Sequence, residues 1–580
     1  MSSFASAPWC KFYGSTPAHL TYPKKTIYQM IRATCEKFPD NIAYEFMGKE
    51  TTYREFLQRI ERTARAYYAL GIRKGDRVTI CMPNCPQAVD SFYALNRIGA
   101  VSNMIHPLSA AKEIAFFLNF SHSKAILTLD QFYPKVDSIR SDLKSPVTIL
   151  VAHIKDELPP LLAVGYALTQ GRKLPKVPAR GDGILHWDKF LAGGRRLKES
   201  LPKKYGRAEE GASILYSGGT TGTTKGILLS NLNFNALALQ TIAASGFSPI
   251  DGMKMLSVMP VFHGFGLGIG IHTALAGGAT CILVPQFNVK TYAELLKKKK
   301  PHIIPGVPTL FEALLRADNL EGADLSFLKG VFCGGDSLSI ELKKKVDDFL
   351  TAHNASVQIR QGYGLTECVT ASCLTPKDYH RPGSIGVPFP DTYYKICRPG
   401  TTEEVDANVE GEICLTGPSV MLEYVDNPEE TANTLRRHAD NRLWLHTGDL
   451  GKMDEDGFVY FSQRIKRMIV TSGYNVYPGQ LENVIDGHEK VLLSCVIGVK
   501  DSYKMQRVKA FVVLKPGIEP SEEVRAELMT YCKEHIAKYA MPTEIEFRAE
   551  LPKTLVGKVA YRVLEEEELA RQEAGPRDAS

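Results

Sequence analysis

The chain has 580 residues, 44% of them hydrophobic and 23% charged, and carries a net charge of +6. That length exceeds what one hydrophobic core fills, so two or more domains are expected, and the ordinary composition excludes a disordered or fibrous chain. So small a charge on so long a chain demands no polyanionic partner, and no nucleic acid is expected. The twelve cysteines are scattered; only Cys81 with Cys85 and Cys368 with Cys373 are close, and neither pair has companions at zinc spacing. They read as reduced thiols of a cytoplasmic protein.

The opening "MSSFASAPWCKFYG" lacks the basic start and apolar core of a signal peptide. "YREFLQRIERTARAYYAL" has the spacing of an amphipathic helix that ends at Gly71. "RVTICMPN", "KAILTLD" and "VTILVAHI" are short apolar strands set between longer helical patterns, which predicts an α/β architecture. Residues 169–185, rich in Gly, Pro and Lys, look like an insertion loop. Residues 255–285 contain no Asp, Glu, Lys or Arg, but two histidines, two prolines and six glycines interrupt them. They predict a buried core element with sharp turns rather than a membrane span. "LLKKKK", residues 295–300, reads as a solvated helix end whose cations suit the dipole; peripheral membrane contact is the sharper alternative. Beyond about residue 460 the texture changes to strands "VLLSCVIGV" and "VKAFVVL" and a helix capped by Ser521, a small α+β domain. The charged end "EEEELARQEAGPRDAS" is expected to fray.

The most informative stretch is "YSGGTTGTTKG", residues 216–226. A P-loop requires G-x-x-x-x-G-K-[ST] and opens directly into a helix. Counted from Gly218 or Gly219, the second glycine would fall on Thr223 or Thr224, and Lys225 is followed by Gly226, so the pattern fails. "GILLS" looks like a second strand, with a helix only from near Asn231. The loop therefore joins two extended segments. Its glycines let backbone N–H groups converge, its threonines add donors and Lys225 adds a point charge, which together make a phosphate nest. Composition alone leaves a merely flexible loop equally open.

Five further segments follow: "QGYGLTE" (361–367), "GEICLTG" (411–417), "HTGD" (446–449), "QRIKRMIVTSGYNVYP" (463–478) and "PKTLVGK" (552–558). Together with the threonine-rich loop, in this order, they closely resemble the signature motifs of the adenylate-forming (AMP-binding) superfamily, whose members include acyl-CoA synthetases, luciferases and peptide-synthetase adenylation domains. The resemblance spans roughly residues 27–565. It implies a large multi-subdomain α/β domain over 1–463, a hinge at 464–467, a smaller mobile α+β domain over 468–565 and a flexible tail over 566–580.

The same resemblance implies roles for individual residues. Ser217, Gly218, Gly219, Thr220, Thr221, Gly222, Thr223, Thr224 and Lys225 would hold the β and γ phosphates of ATP. Thr366 would donate to the α-phosphate, Glu367 would bind Mg²⁺, and Tyr363 would lie against adenine. Asp449 and Arg464 would hold the ribose. Lys466 would be the hinge, Gly473 would line the tunnel for the thiol arm of CoA, and Lys558 would reach the carboxylate and α-phosphate. His263, beside the acyl pocket, would gate the carboxylate. "CGGDSLS" (333–339) mimics a carrier protein's phosphopantetheine site at Ser337, yet it sits inside the large domain. Gly334, Gly335 and Asp336 are therefore expected to edge the nucleotide.

Several positions depart from the family's pattern: Gln463 for Gly or Asp, Arg467 for an acid, Val470 for a lysine found in one branch, and Tyr561 for an arginine. None touches the reacting atoms. The implied activity is an ATP-dependent acyl-CoA synthetase acting on a medium- or long-chain fatty acid, with residues 261–275 walling the acyl tunnel. The alternatives are a stand-alone aryl- or amino-acid-adenylating enzyme that loads a carrier protein, and a catalytically silent nucleotide-binding scaffold. Retention of Glu367, Asp449, Arg464 and Lys558 argues against the last.

Overall fold

The structure, a computed structural model, describes residues 7–573 apart from 180, 182, 204–205, 218–223, 472–473, 502–504 and 555–558, with backbone only at 466, 474, 475 and 573. Among these residues the strands form four sheets. The first carries parallel strands Lys254–Ser257, Thr280–Leu283, Ile303–Gly306, Gly330–Cys333 and Ile359–Tyr363 at its centre. The second is built on parallel strands Arg77–Cys81, Val101–Met104, Ala125–Leu129 and Thr148–Ala152. Parallel strands are covered on both faces, which is why these segments read as unbroken apolar runs rather than alternating ones. A third, antiparallel sheet holds Tyr393–Cys397, Gly411–Thr416, Leu443–Met453 and Val459–Arg464. The fourth belongs to the smaller C-terminal domain and is dominated by the pair Val491–Asp501 and Met505–Leu514. The architecture is the expected α/β domain followed by a smaller α+β one.

Local signals placed the helices well. Tyr53–Ala69 starts on a Thr52/Glu55 capping box, and Gly71 takes the left-handed conformation just past its end. Glu522–His535 is capped by Ser521, whose hydroxyl accepts from the Val524 N–H. The segment 255–285 folds as a strand, a π-helical stretch Phe265–Thr273, a short helical end and a second strand. No described helix is long and apolar enough to cross a membrane. Its glycines mark close approach: a Cβ on Gly264 would overlap the Val369 carbonyl, and one on Gly266 the Pro260 carbonyl. "LLKKKK" closes the helix Val289–Lys299, where Lys299 pairs with Glu45 and Lys300 turns left-handed.

Within the π-helical stretch His272 is fully buried, between the Tyr93 hydroxyl (3.2 Å) and Asn235 Oδ1 (3.1 Å). Burial without a carboxylate partner holds its pKa down to about 3, so the ring is neutral. The unfolded chain, with an ordinary histidine near 6.5, binds a proton that the folded chain refuses. Stability therefore falls as pH drops below about 6.5, by about 2–3 kcal/mol at pH 4.5 from this group. Urea melts between pH 7.5 and 4.5 should show this slope, and His272→Gln should flatten it.

The structure adds one helix that was not anticipated and departs from expectation at two other places. Pro160–Leu168, just before the supposed insertion loop, forms a helix, and Ile184–His186 adds a strand beside Thr148–Ala152. The charged end is helical over Tyr561–Glu573, so residues 566–573 are not a frayed tail. Glu568 explains this: it is buried and accepts from Lys509 Nζ at 2.9 Å, beside Glu544 and Glu546 on the sheet. Removing the cation would leave the buried Glu568 carboxylate only the exposed Arg571 as a partner, so Lys509→Met should cost up to about 3–5 kcal/mol, read as a lower denaturation midpoint.

Candidate functional site

Strands Gly211–Ser217 and Lys225–Ser230 pair antiparallel, with Ser217 opposite Lys225, and the helix Asn231–Ser245 follows directly. The threonine-rich loop therefore closes a hairpin, as the failed P-loop pattern predicts. Gly218, Gly219, Thr220, Thr221, Gly222 and Thr223 lie outside the described residues, as do Gly473 and Lys558.

At the base of this loop Lys225 is paired with Glu430, and its ammonium sits 4.7 Å from the Tyr424 ring centroid. The Tyr424 hydroxyl donates to Glu367 Oε1 at 2.7 Å. Burial and this carboxylate together raise the Tyr424 pKa, keeping the hydroxyl a donor. Glu367 is itself buried, and its Oε2 takes no hydrogen bond from the described residues. One committed and one uncommitted carboxylate oxygen suit a hard cation.

Thr366 and Glu367 stand in a tight turn that ends in an unusual conformation. Val369 has φ 65° and ψ −57°, and the Thr370 N–H donates to the Cys368 carbonyl at 2.8 Å, a γ-turn of the rare positive-φ type. Close packing against Gly264 and Gly268 holds this strained β-branched residue in place. The approach to Gly264 is thus where residues 261–275 meet the "YGLTE" turn.

The Tyr363 hydroxyl, on the same segment, donates to Asp449 Oδ2 at 2.6 Å. Burial first, and Asp449 second, push the Tyr363 pKa well up. Arg464 Nε lies 3.5 Å from Asp449 Oδ1, because the two are cross-strand partners. Contacts thus run from Lys225 through Tyr424 to Glu367, and along "YGLTE" to Tyr363, Asp449 and Arg464. Motifs separated by more than two hundred residues meet in one place.

Sequence reasoning quoted "GEICLTG" but did not single out Glu412, which supports Asp449. Its Oε1 accepts from the Gly448 N–H at 3.0 Å and its Oε2 from His446 Nδ1 at 2.8 Å. His446 Nε2 in turn faces His438 Nε2 at 2.9 Å. Thr447 donates to the Ile413 carbonyl, and its Oγ1 accepts from the Asp449 N–H. The signal was present, a Glu and a His inside two motif segments, but only the register pairing Cys414 with His446 brings them together. Tyr424 was missed for the same reason.

Gly334 and Gly335 follow the strand Gly330–Cys333, and Asp336 is exposed, its Oδ1 accepting from the Ser337 N–H. Ser337 therefore sits just past the C-terminal end of an interior strand of the large domain's first sheet, not in a carrier domain. Gly334, Gly335, Tyr363 and Gly364 are among the residues that line a solvent-open cavity with about 710 Å³ of empty space. Its walls include Ile242, Phe247, Ile250, Phe265, Ile269 and Phe332, and among the described residues no Asp, Glu, Lys, Arg or His lines it. Residues 265–273 do wall a cavity. His263 does not line it; its Nδ1 accepts from the Phe265 N–H at 3.1 Å, at the start of the π-helical stretch.

The expected hinge has its own structure. Ile465–Arg467 is a single tight turn between the third and fourth sheets. Arg467, one departure from the family's pattern, bonds Glu482 and lies 4.8 Å over the ring of Tyr561, another departure. The two unusual residues are mutual partners. Gln463, a third departure, is buried, with neither end of its amide bonded among the described residues. Such a group costs about 1–3 kcal/mol. Gln463→Leu should therefore raise the melting temperature.

Residues 31–425 match the family model of the AMP-binding enzymes, and residues 480–558 that of the AMP-binding enzyme C-terminal domain. The chain belongs to the AMP-binding enzyme family. It is 35% identical to a long-chain-fatty-acid–CoA ligase of Bacillus subtilis over 569 residues, covering 97% of this chain and 98% of the relative. A long-chain-fatty-acid–CoA ligase of Yersinia pestis is 31% identical over 576 residues, covering 97% and 98%. Among solved structures, ATP-bound MatB from Rhodopseudomonas palustris superimposes with a TM-score of 0.78 at 25% identity, covering 94% of this chain and 99% of that one.

Proposed function

We infer that the protein is an ATP-dependent acyl-CoA synthetase, an AMP-forming acid–thiol ligase. A carboxylate does not react with a thiol, because its oxygen is a poor leaving group. Attack of the carboxylate on the α-phosphorus of ATP expels pyrophosphate and leaves an acyl-adenylate. The thiol of CoA then attacks the acyl carbon, and the carbon–oxygen bond to AMP breaks. The products are acyl-CoA, AMP and pyrophosphate.

The convergence of Lys225, Glu367, Tyr363, Asp449 and Arg464 supports nucleotide binding at this place. Ser217 to Lys225 would cradle the β and γ phosphates, with Lys225 exchanging Glu430 for phosphate oxygen. Asp449 would accept from the ribose hydroxyls, held in position by Tyr363, Glu412 and Arg464. The bond from Tyr363 gives it a positioning role as well as a flat face on the cavity wall. Glu367 fits Mg²⁺, which supplies charge neutralisation at the phosphates when bound. Thr366 would donate to the α-phosphate, and Lys558 would neutralise charge there during adenylation. Gly334, Gly335 and Asp336 would edge the adenine, His263 would gate the carboxylate and Gly473 would leave room for the thiol arm. The short turn at 465–467 fits a pivot at Lys466.

For the acid, the carrying observation is the cavity beside Tyr363 and Gly364, which offers an apolar acyl chain no charged neighbour among the described residues. An amino acid's ammonium would meet no carboxylate there and would be buried unpaired. The names of the relatives above point the same way. We therefore assign a medium- or long-chain fatty acid. Initial rates of thioester formation across saturated acids of increasing length test this. A maximum at medium or long chains is expected; benzoate or an amino acid as the best substrate would overturn it. Thioester formed with CoA alone separates this reading from carrier loading.

A further inference from the structure

The helix Pro160–Leu168, "PLLAVGYAL", contains no charged or strongly polar side chain, which normally means burial. Here only one side of it is covered. Ala163 and Tyr166, three residues apart, pack on the main core. On the opposite side Leu161 is 89% exposed, Val164 60% and Leu168 56%, with Leu162 at 53% beside them. These positions recur at helical spacing, so their side chains form one stripe. Arg172, Lys173 and Lys176 follow directly, all exposed, and none takes part in an ion pair among the described residues. No Asp or Glu occurs from residue 158 to 179.

An apolar stripe flanked by cations is the pattern of a helix lying in the plane of a bilayer surface. We propose that Leu161, Leu162, Val164 and Leu168, with Arg172, Lys173 and Lys176, form a docking surface for membranes rich in anionic lipid. The leucines and valine enter the acyl boundary, and the cations meet the headgroups. A second copy of the chain is a poorer occupant. A symmetric contact through this stripe would bring the same three cations toward each other, and one nine-residue helix falls short of the roughly 800 Å² per partner of a stable interface. The run at 295–300 lacks this combination, since its helix end is already paired with Glu45.

The test is cosedimentation of the full chain with vesicles of phosphatidylcholine alone, or mixed equally with phosphatidylglycerol. Wild type should pellet with the anionic vesicles and be released by salt. The joint variant Leu161→Ser, Leu162→Ser, Val164→Ser and Leu168→Ser should lower partitioning by about tenfold or more. Arg172→Glu, Lys173→Glu and Lys176→Glu together should do the same and remove the salt sensitivity. Thermal melts matching wild type show that each variant folds. As a second readout, Leu161→Trp should shift its emission to the blue with anionic vesicles. Equal partitioning of wild type and both variants, or no shift at the tryptophan, overturns the proposal. So does intact vesicle binding in the serine variant accompanied by loss of a dimer on size exclusion, which would mean that a second copy covers the stripe.

Discussion

Lys558→Ala should lower adenylation, read as ATP–pyrophosphate exchange, by about 10²–10³-fold, the usual effect of removing one group that stabilises transition-state charge. Attack of CoA on supplied acyl-adenylate should change only a few-fold. The asymmetry follows from where charge develops. In the first half-reaction a carboxylate approaches an already anionic α-phosphate, so a cation between them acts on the transition state more than on the ground state. In the second, a thiolate attacks an acyl carbon and AMP departs, and in the proposed domain movement the segment holding Lys558 has swung away. Equal loss in both steps would contradict the role. A drop in stability, which would also reduce both steps together, is recognised separately by a lowered melting temperature.

The second large effect is expected at Asp449→Asn. Asp449 is buried and lies between the Tyr363 hydroxyl and Arg464. Asparagine keeps the shape and one acceptor, but it loses the charge that holds Arg464 and strengthens the bonds from the ribose. Hydrogen bonds to a charged group contribute about 1.5–3 kcal/mol each, so kcat/KM for ATP should fall roughly 10- to 150-fold. The loss should appear mainly as a higher KM for ATP, with the KM for the acid little changed. An unchanged KM for ATP would remove Asp449 from the nucleotide site. Glu412→Gln should act in the same direction and more weakly, because Glu412 reaches the nucleotide only through Gly448 and His446.

How much of this was legible in the sequence depends on the range of the interaction. The hairpin around the threonine-rich loop, the helix from Asn231 and the cap at Ser521 were readable because each is set by residues within a few positions of one another. The resemblance carried the assembly of the motifs. Neither supplied the tertiary pairings: Lys225 meets Glu430, Tyr363 meets Asp449 and Lys509 meets Glu568 across tens to hundreds of residues. For Tyr363 the expected adenine-stacking role is now joined by a hydrogen bond that only the folded chain brings about. Arg467 and Tyr561 were noted separately as departures, and the fold makes them one compensating pair. The helix Pro160–Leu168 was missed because an unbroken apolar run has no polar face to mark a period, and the run that followed looked like loop. The helix over residues 566–573 was not anticipated, because a glutamate-rich run looks solvated until its buried lysine partner is known.

One measurement tests the central claim most directly: quantifying AMP, pyrophosphate and acyl-CoA together after incubating the purified protein with ATP, Mg²⁺, CoA and a long-chain fatty acid. The account predicts the three products in equal amounts, with no thioester when ATP or the acid is omitted. Bound ATP with no AMP and no thioester from any acid, or cleavage to ADP and phosphate, would contradict it.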